Sequence, residues 1–484
     1  MTTATTEKPV VAPVSIFGRS FAYKYLVAAV LVSALFLDIL DTTIVNVALP
    51  TLGREFGASS TEWVVVGYTL SLAVFIPVSG WLSDRIGTKR VFLFAFAMFI
   101  GASALCGAAQ SIEQLIAFRV LQGVGGGMLT PVGLAMMFRV FPPAERARVS
   151  TLMMIPTLAA PALGPVIGGL LITNANWRWI FYVNVPVGVV AFYVGLKLLR
   201  EHREPSAGRF DVAGFVLSGG GLASFVYALS QGPRDGWASP HVLFFGVLGV
   251  VMLTAMVAVE TRIAQPMLML GLLRNRMFRN ANIVSAFSIA SFLGLLFVLP
   301  SYLQSLRGLS AQTSGLVTFP QAVGVGCSTF IAGSLYKRVG PRRLIFAGLF
   351  LASLTIFAFE LLTLTTNLWW IRGLMLLRGF CMGFAFVPMQ ASSYATIAPA
   401  DNGRASSIFS TQRQVAVSLA VAVLGTVLAH FVTFGAGGVM IDPDRALRGF
   451  HVAFLVAACL ALLGSVAALF IRDSDAAATM APRR

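Results

Sequence analysis

The sequence predicts an all-helical integral membrane protein, and three observations predict it. The chain of 484 residues is 57% hydrophobic and only 11% charged, against about 25% charge in a soluble domain. Its mean hydropathy is +0.83. Apolar runs of roughly 20 residues, each long enough to cross a bilayer as a helix, recur from Tyr25 almost to the C-terminus. Basic residues collect on alternate loops, the asymmetry that sets membrane orientation. Backbone groups in lipid must be satisfied internally, so continuous apolar runs read as helices. A transmembrane barrel would show alternating strands of about ten residues instead.

Fourteen spans are expected, at 25–49, 62–83, 90–110, 113–139, 148–172, 178–199, 211–230, 241–260, 280–304, 312–335, 343–365, 369–395, 405–433 and 449–471. Of the 35 basic residues, Arg54, Arg178, Arg234, Arg307, Arg372, Arg445 and Arg448 fall on one side. Arg119, Arg378 and Arg413 lie within spans, and all the others fall on the side of the termini. Both termini are therefore expected in the cytoplasm. The net charge of +16 reads as this topology signal and not as a nucleic-acid surface. Cys106, Cys327, Cys381 and Cys459 all sit in apolar runs, with no disulfide or zinc spacing. The first run lacks a small-residue cleavage site and reads as an uncleaved helix.

An internal repeat divides the chain. Gly80-Trp81-Leu82-Ser83-Asp84-Arg85-Ile86-Gly87-Thr88-Lys89-Arg90 follows span 2, and Gly333-Ser334-Leu335-Tyr336-Lys337-Arg338-Val339-Gly340-Pro341-Arg342-Arg343 follows span 10. Arg119 in span 4 is echoed by Arg378 in span 12. The expected organisation is a cytoplasmic tail (1–24), a six-helix bundle (25–199), a linker with two extra helices (200–279), a second six-helix bundle (280–471) and a C-terminal tail (472–484). Two parallel halves with a substrate site between them are a known transporter plan.

At this point the residues resemble the major facilitator superfamily, in its fourteen-helix drug:proton antiporter branch. The loop Gly80 to Arg90 is similar to the family's G-x-L-x-D-R-x-G signature. Arg119-Val120-Leu121-Gln122-Gly123-Val124-Gly125 is similar to its R-x-x-Q-G-x-G, and Gly164-Pro165-Val166-Ile167-Gly168-Gly169 to its antiporter element. Leu40-Asp41-Thr42-Thr43-Ile44-Val45-Asn46 and Trp177-Arg178-Trp179-Ile180-Phe181-Tyr182-Val183-Asn184-Val185-Pro186 are also similar to elements of this branch. Lys337 departs from the pattern by standing where the signature has aspartate, so the two loops are not equivalent.

The charges within spans mark candidate function, because a charge at mid-bilayer costs about 2.5–3.5 kcal/mol even on the lenient scale. Asp38 and Asp41 lie three apart on one face of span 1. Two such carboxylates resist double ionisation, which suits proton binding. Arg119 cannot give up its own proton, so it tunes a carboxylate or binds an anion. The resemblance implies proton coupling, with Asp41 as its partner; a purely structural ion pair is the plainer reading. Arg413 either faces the central cavity or snorkels to the surface.

The resemblance also implies conformational roles for Gly80, Asp84, Arg85, Gly87, Arg90, Gly164, Pro165, Gly168 and Gly169. Asp84 would latch the halves together by facing a helix N-terminus or an arginine. Polar and soft residues at plausible depth for substrate are Asn46, Tyr68, Gln122, Met154, Gln321, Met389, Gln390, Arg413 and Gln414. With no phosphate-binding loop, no cofactor is expected and a proton gradient supplies the energy. The expected function is proton-coupled export of small lipophilic, cationic or neutral compounds from a bacterial plasma or inner membrane. A carrier specific for one metabolite, an importer of the same family, and a channel or membrane enzyme are the competing classes. A monomer in membrane lipid is expected, with an accessory periplasmic adaptor left open.

Overall fold

The structure, a computed structural model, describes residues 14–16, 19–21, 23–56, 61, 63–142, 145–203, 210–263, 266–432 and 442–480. Within these, the side chains at 14–16, 19–21, 50, 146–148, 154–159, 161, 162, 165, 173 and 311 are not described. Met154 and Pro165 are among them, so both candidates lie outside the described side chains.

The helices are α1 (Tyr23–Phe56), α2 (Trp63–Ile86), α3 (Thr88–Ala108), α4 (Ile112–Val140), α5 (Arg146–Asn174), α6 (Trp179–Tyr182 continued by Asn184–Leu198) and α7 (Val212–Asp235). Then follow α8 (Pro240–Glu260), α9 (Arg276–Ser301), α10 (Ala311–Thr318 continued by Pro320–Val339), α11 (Pro341–Phe357), α12 (Leu368–Ser393), α13 (Asn402–Phe431) and α14 (Pro443–Ala468). Among the described residues, 13 helices are long and apolar enough to cross a membrane. The remaining one, α5, is 29 residues long. The chain is thus a multi-pass membrane protein with about the expected number of spans. A small hairpin, β1 (Val14–Ile16) with β2 (Arg19–Phe21), precedes α1 where only a tail was expected.

Helix ends follow the local chemistry. Ser111, Asn275, Ser310, Asn367 and Asp442 each accept a backbone N–H in the first turn of α4, α9, α10, α12 and α14. Prolines open α8, α11 and α14, where a missing N–H costs nothing. The two repeated loops each turn on a glycine with positive φ, Gly87 at 117° and Gly340 at 91°, a backbone that disfavours any side chain.

Helix partnerships repeat. In the first half α2 and α3 pack on α4, α1 packs on α5 and α6, and α3 on α6. In the second half α10 and α11 pack on α12, α9 packs on α13 and α14, and α11 on α14. The halves meet along two seams, α2 with α13 and α5 with α10. The hairpin α7–α8 leans on α2 and α13, and so covers one seam only. Only 17% of the most apolar stretch of α8 is buried within the protein, against 78% for α4. That explains the apolar face of Leu243, Phe244, Val247, Val250 and Val251 as lipid contact.

The α1–α5 contact depends on two glycines. A Cβ on Gly164 would strike the Thr43 side chain at 2.8 Å, and one on Gly168 would meet Ile44 Cγ1 at 2.9 Å. A Cβ on Gly169 would meet nothing within 4 Å, so Gly169 is not part of the face it was grouped with. Small residues here permit close helix approach. Gly164→Ala is therefore expected to lower the melting temperature of the detergent-purified protein, at about 1–3 kcal/mol for overpacking. Gly169→Ala should leave it unchanged, and scanning fluorimetry distinguishes the two.

Candidate functional site

The site begins with a fully buried ion pair. Arg119 on α4 and Asp41 on α1 are both 0% exposed, and Arg119 Nη1 donates to Asp41 Oδ2. Separating two buried charges would cost about 3–5 kcal/mol, so every remaining lone pair matters. Asp41 Oδ1 accepts from Gln122 Nε2 at 3.0 Å and Asn184 Nδ2 at 2.9 Å. Arg119 Nη1 also donates to Gln122 Oε1 at 2.7 Å, and its Nε to the Val64 carbonyl at 3.1 Å. Asn184 Nδ2 reaches Ser103 Oγ at 3.2 Å, which in turn donates to the Phe181 carbonyl. Five helices of the first half, α1, α2, α3, α4 and α6, are thereby joined through one carboxylate.

Tyr68 joins this sealed pair to Asp38. Its hydroxyl donates to Asp38 Oδ1 at 2.5 Å. Its ring face carries the Arg119 guanidinium 4.1 Å from the centroid, a cation–π contact. Glycine makes the close approach possible: a Cβ on Gly126 would lie 2.6 Å from Tyr68 Oη and 2.9 Å from Asp38 Oδ1. Asp38 is half-buried where Asp41 is sealed. Along the same face of α1, Ala34 is buried, Asp38 and Thr42 are half-buried and Asn46 is exposed. On α13, residues 402–410 are buried and 411–415 half-buried. The space between the halves is therefore closed at the end of the molecule that carries the termini and opens toward the other end. Arg413 stands half-buried within electrostatic reach of Asp38, on the cavity side and not at the surface.

The closed end is held by the signature loop. Asp84 is 2% exposed, and its Oδ2 lies 3.8 Å from Arg404 Nε on α13. A Cβ on Gly403 would lie 2.7 Å from Asp84 Oδ1, so the carboxylate rests on the first turn of α13, where the helix dipole favours negative charge. Gly80 packs on Gly403 and Ser407, and Ser79 Oγ meets Ser407 Oγ at 3.1 Å. Stacked Phe138 and Tyr394, 4.3 Å apart, close the same end between α4 and α12. Arg85 and Arg90 are exposed, and Arg90 pairs with Glu201 at 3.5 Å. Glu201 also accepts from the Lys89 amide and faces the Gly87 turn. In the second half Asp473 repeats this, accepting from the Arg342 amide and facing Gly340.

The second half has no counterpart of Asp41 among the described residues. Arg378 is fully buried, yet its partners are neutral: Gln321 Oε1, and the carbonyls of Ser291 and Phe292 at 3.1 Å. Of the residues expected to meet substrate, Tyr68, Gln122 and Gln321 are thus taken up by the two arginine networks. Met389 and Gln390 are buried at 3% and 6% exposure. Among those with described side chains, Asn46, Arg413 and Gln414 keep exposed or half-buried surface there. The sequence reading missed Asn184, Ser103 and Glu201 as site residues. An asparagine inside the apolar Trp177–Pro186 stretch was the available signal for the first.

A family model described as Major Facilitator Superfamily matches residues 31–421. The chain belongs to the Major Facilitator Superfamily. Among similar facilitator proteins, the multidrug resistance protein B homolog of Mycobacterium tuberculosis is 32% identical, with 94% of this chain and 91% of that one covered. The puromycin resistance protein pur8 of Streptomyces alboniger is 33% identical, covering 92% and 90%. The crystal structure of the human organic anion transporter MFSD10 (TETRAN) matches with a TM-score of 0.66 at 16% identity, over 92% of this chain and 99% of that one. That match speaks for the facilitator fold alone.

The Asp41 network makes a stability prediction. Asn184→Ala removes a donor to Asp41 and one to Ser103, at about 1–3 kcal/mol for buried polar groups left unmatched. A lower melting temperature is expected for Asn184→Ala, and less loss for Asn184→Asp only when that aspartate is protonated at acid pH. Thermal unfolding at pH 5 and pH 8 reads both.

Proposed function

We propose that this facilitator is a proton-coupled antiporter that exports lipophilic cationic or neutral compounds by alternating access. The observation that carries the reading is the Asp38–Tyr68–Arg119–Asp41 chain, in which one carboxylate faces the cavity and the other is sealed. Drug export is supported by the relatives named for multidrug and puromycin resistance. Membership of the facilitator family supports a transporter role.

In this reading the cavity presents Asp38 to a bound proton or a bound cation, but not to both. Neutralising Asp38 takes the charge off the acceptor of the Tyr68 hydroxyl and weakens that hydrogen bond. The ring that carries Arg119 is then free to shift, and the Arg119–Asp41 tie between α4 and α1 weakens. If Asp41 takes the proton, Arg119 is left with neutral acceptors, as Arg378 already is. Either event biases the first half between its two arrangements. With both termini in the cytoplasm, the arrangement described is outward-facing, and the Asp84–Arg404 contact is its inner latch. A gradient of about 150 mV supplies about 3.5 kcal/mol per proton, enough for a few hundred-fold concentration ratio at about 1.4 kcal/mol per tenfold.

Transport in proteoliposomes with an imposed pH gradient tests the reading, using a fluorescent lipophilic cation. Wild type should accumulate it and lose it when an uncoupler is added. Asp41→Asn should abolish uphill movement. Uphill accumulation by Asp41→Asn at the wild-type rate would contradict the proposal.

A further inference from the structure

The hairpin α7–α8 carries a second pair of buried carboxylates, which the transport reading does not use. Asp211 caps α7, accepting from the Gly214 amide at 2.7 Å through Oδ1. Glu260 ends α8, is 3% exposed, and accepts from the Leu268 amide at 3.2 Å through Oε1. Both crowd the bare face of Gly214. A Cβ there would lie 2.8 Å from the Asp211 carboxyl carbon and 2.5 Å from Glu260 Oε1. Asp211 Oδ2 and Glu260 Oε2 are both buried and have no hydrogen-bond partner among the described residues. Two ionised carboxylates in that position would repel and leave both oxygens unsatisfied.

Their surroundings connect them to the latch. Among the described residues, the charged group facing Glu260 from α7 is Asp211 and the one from α13 is Arg404. The 267–268 segment offers only backbone N–H groups. Arg404 is also the partner of Asp84 at the end of α2, at 3.8 Å. Thr261 and Arg262 beside Glu260 are exposed, so a proton can exchange with water at the end of the molecule that carries the termini.

We propose that Asp211 and Glu260 bind one proton between them, and that this second proton site governs the Asp84–Arg404 latch. With the proton held as an O–H···O bridge, the pair carries one negative charge and Arg404 stays with Asp84. When the proton leaves to water, two negative charges compete for Arg404 and loosen its hold on Asp84. The extra hairpin, which covers only the α2–α13 seam, thereby makes the closed end sensitive to pH at its own surface.

The test uses the purified full chain carrying Asp38→Asn and Asp41→Asn, so that its outcome does not depend on the transport proposal. Infrared spectra across a pH titration should show a protonated-carboxyl band that Glu260→Gln or Asp211→Asn removes; Asn still caps α7. In a chain with its four cysteines replaced by alanine, spin labels at exposed Ile86 and Ala400 report the α2–α13 distance. That distance should lengthen as pH rises in the parent and stay short at every pH in Glu260→Gln. An unchanged infrared band in both variants, or a distance that follows pH equally with and without Glu260, would overturn the proposal.

Discussion

The first half is organised around the full burial of one positive and one negative charge. Arg119 and Asp41 cannot be left partly solvated at that depth, because each unmet hydrogen bond there costs far more than at a surface. Gln122, Asn184, the Val64 carbonyl and the Tyr68 ring supply most of the shell, and Arg119 Nη2 is left without a hydrogen-bond partner among the described residues. The glycines of α4 follow from the same need. A Cβ on Gly123 would lie 2.7 Å from Ser71 Cβ, and one on Gly127 would lie 2.9 Å from the Leu72 carbonyl. Only a bare α4 lets α2 come close enough for Tyr68 to touch Asp38 and Arg119 together.

The second half repeats the helix partnerships but not the charge balance. Arg378 is buried among neutral acceptors, so protonation has nothing there to alter. The asymmetry places the variable charge in one bundle and a fixed one in the other. The seams differ as well. The α2–α13 seam carries Asp84, Arg404 and the extra hairpin, whereas α5 meets α10 without such a cover. In the proposed reading, a carrier built from two similar halves thus has one half and one seam that respond to protons.

Much of this was legible in the chain. Continuous apolar runs have one solution in lipid, so most span ends fell within a few residues of expectation, although α1 runs on to Phe56, α11 stops at Phe357 and α14 begins at Pro443. Asp38, Asp41 and Arg119 stood out because charge in an apolar run is costly wherever it points. Their mutual contacts were partly legible too, since the family resemblance already implied Asp41 as the partner of Arg119. What the chain hid was direction. Tyr68, Gln122 and Gln321 read as cavity-lining because polarity at the right depth says nothing about which face a side chain occupies. Glu201, Asp473 and the Asp211–Glu260 pair were hidden for another reason. They lie at helix ends, where acidic residues are expected to be solvated, and only the packing of distant loops buries or engages them.

Proton release on cargo binding tests the central claim most directly. Purified protein in weakly buffered detergent solution, with a pH indicator dye, would be mixed with a lipophilic cation it transports. The account predicts that wild type acidifies the medium as cargo displaces a proton, and that the Asp38→Asn and Asp41→Asn double variant binds cargo without acidification. Equal proton release from both, or cargo binding by wild type with no release at any pH, would contradict it.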